Sequence, residues 1–234
     1  MQCGSPAPHN WAVSPQQAVA IQKNLASAVV RQRTDQRPMR LIAGVDAAFS
    51  PDGRRCLAGV VLWDGEGQAV VEQQLASRRL FFPYIPGLLT FREAPAILAA
   101  LRKLRHTPPD VLLCDGQGIA HPRRLGIACH LGLVTGLPAI GCAKSRLIRA
   151  HEEPARQKGS IVPLFDNEER IGSVVRTRDG VRPVYVSIGH RIDLSTAEQL
   201  VLSCAIRFRL PEPIRLADQL VGAARRHGMA VAAG

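Results

Sequence analysis

The stretch DVLLCDGQGIAHPRRLGIACHLGLVTGLPAIGCAK, Asp110–Lys144, holds two short apolar runs separated by one of helical length. DVLLCD and PAIGCAK read as strands, and PRRLGIACHLGLVTG between them as a helix. Both strands are apolar at nearly every position, the pattern of a sheet covered on both faces. Alternation of this kind makes the fold class α/β.

Upstream lie three strand-like runs, LIAGVDAAFS, CLAGVVLWD and AVVEQQLASRRL, joined by PDGRR and GEG. Such short links carry turn chemistry, so the three runs form an antiparallel meander. LLTFREAPAILAALRKLR follows as a packed helix, with its basic residues gathered at the C-terminal end. Before the meander, Ser14 and Pro15 supply an N-cap and a first-turn proline for a helix through AVAIQKNLASAVVRQ. Residues 1–13 are polar and read as a flexible terminal segment, leaving 14–234 as one domain. Downstream, residues 151–170 look like an exposed polar excursion. IGSVVRT and PVYVSIG flank RDGVR as a hairpin, STAEQLVLSCAIRF is a capped helix, and PEP breaks the chain before a final helix, ADQLVGAARRH.

The 234 residues, 46 % of them hydrophobic, suffice for a sizeable core. Thirty Lys and Arg against nineteen Asp and Glu give a formal charge of +11, which favours a polyanionic partner, nucleic acid first. There is no long apolar run, basic amphipathic helix or secretory signal pattern, so the expected setting is cytoplasmic with no membrane partner. The six cysteines never form a CxxC pair and sit mostly in apolar segments, which points to buried free thiols and not to zinc ligands.

Most acidic residues fall in turns or in the 151–170 excursion, where solvation accounts for them. Asp46 and Asp115 differ, because each ends an apolar strand, where an unpaired charge is costly to bury. Glu93, in the first turns of the helix after the meander, can project over the sheet edge toward both. Three convergent carboxylates repel one another unless a hard cation holds them, and Mg²⁺ prefers such oxygen ligands. Acidic metal ligands on a basic protein point to phosphodiester hydrolysis.

The loop GQGIAHPRRLG after Asp115 places Gly116 and Gly118 where a backbone could approach a ligand, followed by His121, Arg123 and Arg124 opening a helix, a setting suited to phosphate. No GKS or GKT triplet and no full GxGxxG accompanies it, so a nucleotide-triphosphatase reading fails. His121 is open to two readings, a proton-transfer or water-orienting group and a side chain bonded to backbone. Lys144, at the end of PAIGCAK, reads either as a group steadying a phosphate or the attacking water, or as an ordinary solvated lysine. One further stretch is unusual: FFPYIPGLLTFREAP, Phe81–Pro95, brackets Tyr84 between Pro83 and Pro86 in a chain with few aromatics.

Together IAGVDAAF, PYIPGLLTFREAP, DGQGIAHPRRLGIACHLG, IGCAK, GHRIDL and RLPEPIRLAD resemble, in order, the motifs of the endonuclease V family. The resemblance implies a ribonuclease H-like fold, with a meander leading into parallel strands. It implies Mg²⁺, with Mn²⁺ as a substitute, held by catalytic Asp46, Glu93 and Asp115, with His121 and Lys144 assisting and Asp218 beside the metal. It makes Pro83, Tyr84, Ile85 and Pro86 a wedge filling the space of an extruded base, which offsets unstacking. Gly87, Gly116, Gly118 and Gly141 become candidates for the base pocket, with Arg123 and Arg124 on phosphates. The implied activity is that of a monomeric repair endonuclease that cuts the second phosphodiester bond 3′ to deoxyinosine in DNA, leaving 3′-hydroxyl and 5′-phosphate ends. Cleavage of inosine-containing RNA and lesion binding without catalysis are the alternatives.

Overall fold

The computed structural model describes residues 9–105, 108–147 and 152–227. In chain order the elements are α1 (Pro15–Ala26), β1 (Leu41–Phe49), β2 (Arg55–Asp64), β3 (Ala69–Arg79), α2 (Thr90–Leu101), β4 (Val111–Cys114), α3 (Ile127–Thr135), β5 (Ala139–Ala143), β6 (Ile161–Asp166), β7 (Glu169–Val175), β8 (Val184–His190), α4 (Leu194–Cys204) and α5 (Glu212–His227). The strands form a single eight-stranded sheet in the order β3-β2-β1-β4-β5-β8-β7-β6. β1, β4 and β5 run parallel at its centre, and every other pairing is antiparallel. The α/β class, the meander and the parallel strands after it are thus as the sequence implies.

Helices cover both faces, and the alternation of side chains along the strands sorts residues between them. Ala43 and Val45 of β1 and Leu112 and Cys114 of β4 share one apolar cluster with Ala94, Ile97 and Leu98 of α2 and Leu131 of α3. Ile42, Val111 and Leu113 point the other way and pack with Ala197 and Val201 of α4 and Ile214 of α5. Gly44 is on that second face, where a Cβ would lie 2.1 Å from the Pro213 backbone, so α5 rests directly on β1. The five cysteines among the described residues, Cys56, Cys114, Cys129, Cys142 and Cys204, are free and buried, as expected; Cys3 lies outside the described residues.

Four local readings change. First, α1 stops at Ala26, not Gln32, because the chain turns to bond β8: Val30 donates to His190 Nδ1 at 3.3 Å and accepts from Arg191 N at 2.7 Å. Second, α3 begins only at Ile127. His121 to Gly126 instead form a folded turn, closed by Arg124 N to His121 O and Gly126 N to Gly118 O at 2.8 and 2.9 Å.

Third, the 151–170 excursion contributes edge strand β6. Its turn into β7 carries Asp166 and Glu169, which clasp Arg124 at 2.7 Å each and so are not merely solvated. Fourth, PEP starts α5 and does not interrupt it, since Pro213 lies in the first turn, where a missing N–H is not needed. Residues 1–8 of the expected flexible segment lie outside the described residues, but His9 and Trp11 pack: His9 Nε2 is 2.6 Å from His130 Nε2, and Trp11 meets Phe91 edge-on and His130 at a tilt.

Candidate active site

Parallel pairing sets Val45 opposite Cys114, so the next residues, Asp46 and Asp115, sit side by side where the two strands leave each other. Neighbouring strands are about 4.8 Å apart, which brings two carboxylates together whatever their preference. By strand alternation both side chains share the face of Ile42 and Leu113, the face that α5 covers. From α5 comes Asp218, and one carboxylate oxygen from each of Asp46, Asp115 and Asp218 lies within 4.8 Å of the others.

Glu93 is not among these three. Its helix, α2, covers the opposite face, so it approaches over the end of the sheet and is itself buried at 8 % exposure. It still feels the cluster: burial first, then the charges of Asp46 and Asp115, push its carboxyl up to about 8. Burial and then Asp115 likewise push Asp46 up to about 8. Burial also raises Asp115, against the opposing pull of Lys144.

Lys144 Nζ bridges Asp115 at 2.6 Å and Asp218 at 2.9 Å. Burial works against its proton, but the hydrogen bonds to these aspartates hold the ammonium well above its ordinary range. Arg209 fixes this lysine from behind, donating to the Lys144 carbonyl at 2.6 Å and to that of Pro183 at 2.8 Å. The donor set, hard anionic oxygens gathered at a sheet end, is the kind that binds a divalent cation. Like charges this close repel one another, and a bound cation relieves that repulsion.

Beside the cluster lies a cavity of about 340 Å³ lined by Tyr84, Ile85, Pro86, Gly87, Gly116, Gln117, His121, Asp115, Lys144 and others. Ligand cavities start at about this size. Tyr84 stands at its rim with 70 % of its surface exposed, and the Arg92 guanidinium sits 5.9 Å from its ring centre and 4.5 Å from that of Phe49. Of the two preceding phenylalanines, Phe82 is buried against Phe91, whereas Phe81 is exposed.

The loop after Tyr84 is held by a single carbonyl. Gly87 O accepts from Gln22 Nε2 at 3.0 Å, His121 Nε2 at 2.9 Å and Arg123 Nη2 at 2.7 Å. Gly87 has φ +78, and a Cβ there would lie 2.7 Å from the Arg123 guanidinium, so glycine suits both the backbone and the space. Of the two readings of His121, the backbone contact is the one seen: Nε2 donates to Gly87 O and Nδ1 accepts from Arg123 N at 3.2 Å. Burial lowers the ring to about 4, so it is neutral at physiological pH.

Both arginines of this loop are engaged with protein, contrary to a purely phosphate-facing reading. Arg123 Nε donates to Gln22 Oε1 at 2.6 Å as well as to Gly87, and Arg124 is clasped by Asp166 and Glu169. Gly118 and Gly141 do not line the cavity; they pack backbone against backbone beneath it, a Cβ on Gly141 falling 2.3 Å from Gly118 N.

Gln22 was not legible as a functional residue, because on α1 it reads as an ordinary polar position. In space it is fully buried, and it donates to Leu125 O at 3.1 Å as well as to Gly87. Gln22→Leu should take from Arg123 Nε its acceptor and from the Leu125 carbonyl its Gln22 donor, and cost about 1–3 kcal/mol. Thermal denaturation of the variant checks this; a melting temperature equal to that of the parent would rule out the latch.

Comparison with known proteins adds to this geometry. The family model described as Endonuclease V matches residues 23–219. An endonuclease V of Trichormus variabilis is 52 % identical over 213 residues, covering 91 % of this chain and 96 % of that protein. The crystal structure of an endonuclease V from Streptomyces avermitilis has a TM-score of 0.87 at 40 % identity, covering 94 % of this chain and 95 % of that one. A Ciona intestinalis endonuclease V in complex with a 23mer DNA containing an inosine followed by a ribo-adenosine has a TM-score of 0.80 at 25 % identity, covering 92 % and 99 %.

The fold is accordingly ribonuclease H-like, and the chemistry is that of a nuclease, a hydrolase of phosphodiester bonds. A match over most of the length, with the strand-end aspartates, Lys144 and the Tyr84 loop gathered at one end of the sheet, leads to one conclusion: the chain belongs to the endonuclease V family.

Proposed function

We propose that this enzyme nicks DNA at deoxyinosine, hydrolysing the second phosphodiester bond 3′ to the altered base and leaving 3′-hydroxyl and 5′-phosphate ends, with Mg²⁺ as the cofactor and Mn²⁺ able to replace it. The observation that carries the reading is the gathering of Asp46, Asp115 and Asp218 next to a cavity rimmed by an exposed tyrosine. The likeness to a relative solved with inosine-containing DNA supports the choice of lesion.

Asp46, Asp115 and Asp218 would hold the cation, with Glu93 set behind them. When bound, it supplies electrostatic stabilisation of charge on the phosphate oxygens and lowers the pKa of a water. Lys144 contributes a fixed positive charge beside the scissile group, held by Arg209. Tyr84 fills the gap left in the base stack, and the cavity behind it takes the extruded base, where few water molecules can compete for its polar edge. Gln22, His121 and Arg123, through Gly87, fix the distance between the inserted ring and the carboxylates. Recognition and cutting are thereby tied through one rigid loop.

Duplexes and matched RNA oligonucleotides bearing one inosine, each with and without Mg²⁺, provide the direct test. Nicking of the DNA that needs Mg²⁺ is expected; cleavage of the RNA alone, or no cleavage with Mg²⁺ present, would refute the assignment. Base stacking on an aromatic ring contributes about 1–3 kcal/mol, so Tyr84→Ala should narrow the preference for inosine over adenine about ten-fold or more. Competition between the two substrates reads this directly, and an undiminished preference would remove the wedge.

A further inference from the structure

The cluster borders a second hollow, which shares no residue with the first. It has a volume of about 720 Å³, starts at Asp46 and Asp218, and is floored by Ala47, Ala48 and Pro51. Its far wall is α5, through Gly222, Arg225 and Arg226. Positions 218, 222, 225 and 226 fall on one stripe of a helix, so the stripe that presents the cluster's aspartate continues to the two arginines. At 1.5 Å per residue they lie about 11 Å further along the axis, close to three nucleotides of one strand at about 3.4 Å each.

Both guanidinium groups are exposed, and neither has a carboxylate partner among the described residues. Basic residues in a last turn also suit the helix dipole. The dipole does not require them to line a hollow that begins at the catalytic carboxylates. The walls carry the small residues Ala47, Ala48 and Gly222, and the flexible end of Arg226 lies over Gly222, inside the hollow.

The first cavity reaches the cluster at Asp115 and Lys144, from the side of α2 and α3; the second reaches it at Asp46 and Asp218, from the side of α5. A strand whose altered base enters the first and whose cut phosphate lies at the carboxylates must leave toward the other side. We propose that the α5 hollow carries the sugar-phosphate backbone beyond the cut, on the side away from the recognised base, with Arg225 and Arg226 on its phosphates. This rests on the function proposed above, which makes the carried segment the one 3′ to the nick.

The test compares the parent with Arg225→Gln/Arg226→Gln on three inosine duplexes: full length, shortened to two nucleotides beyond the nick, and shortened on the other side. Loss of two phosphate contacts should flatten log K against log salt by about 1.8, so that between 50 and 200 mM salt the parent loses about twelve-fold more affinity than the variant. Arg225→Lys/Arg226→Lys should restore the parental slope, which a merely folded-state defect would not do. On the duplex shortened beyond the nick, parent and variant should converge; on the other shortened duplex their difference should persist. Equal slopes, or a difference that survives truncation beyond the nick, would overturn the proposal. A parent that binds with these slopes yet nicks no inosine duplex would refute the function and not the groove.

Discussion

Asp46→Asn should lose nicking by on the order of 10³-fold or more, the loss of several kcal/mol of charge stabilisation at the scissile phosphate, while the protein itself becomes more stable without metal. The two effects have one cause. Asp46 is buried beside Asp115, and its carboxyl is pushed up to about 8, as is that of Glu93. Each group therefore binds its proton more tightly folded than unfolded. The stability this gives is fully present below the ordinary carboxylate range and is lost as pH rises through about 8.

At pH 8 the metal-free parent must bury repelling charges that the asparagine variant lacks. Its melting temperature should consequently lie below that of the variant at pH 8 and approach it at pH 5. Cation binding requires the same carboxylates to be deprotonated, so added Mg²⁺ should raise the parent's melting temperature more at pH 8 than at pH 6. Calorimetry at the two pH values, with a nicking assay on the same samples, checks all of this. A variant that is inactive and also less stable at pH 8 would show that Asp46 serves the fold, contrary to the assignment.

Gly118→Ala carries the largest expected effect on stability. A Cβ at this position would lie 2.0 Å from the Ile188 carbonyl oxygen, which is itself the acceptor for Ile119 N at 2.8 Å. Gly118 N donates to Ser187 Oγ at 2.8 Å, and its carbonyl accepts from Gly126. Backbone meets backbone here, so no side chain can swing away and the added methyl must separate β8 from the turn after β4. Such overpacking, with no side chain able to yield, costs about 3 kcal/mol. For a chain of this size it should lower the melting temperature by ~10 °C. Gly222→Ala, within α5, where a Cβ would meet only the end of the flexible Arg226 side chain at 3.3 Å, serves as the control and should lose nothing. Equal losses at the two sites would mean that the close backbone contact at Gly118 is not what limits the side chain there.

The sequence by itself determined the elements and two of the acidic positions. Apolar runs of strand length around PRRLGIACHLGLVTG specify a covered sheet, and PDGRR and GEG specify a meander, because turn chemistry and periodicity act over a few residues. Asp46 and Asp115 were legible for the same local reason, a charge at the end of an apolar strand. Boundaries failed where distant partners compete with the helix: Val30 leaves α1 for β8, and the His121 turn is closed by Gly118 and delays α3.

Periodicity and spacing do not say which carboxylates meet; the resemblance implied Asp218 beside the metal, and the tertiary structure sets it against Asp46 and Asp115. Strand alternation turns Asp46 and Asp115 toward α5, so Asp218, more than a hundred residues downstream, joins them closely, while Glu93 arrives from the opposite face. It also decided what Arg123, Arg124 and His121 do, since their partners Gln22, Gly87, Asp166 and Glu169 come from other elements. Spacing along the chain carries information about neighbours within a few residues; which faces and ends come together depends on strand order and helix placement, and no short stretch encodes either.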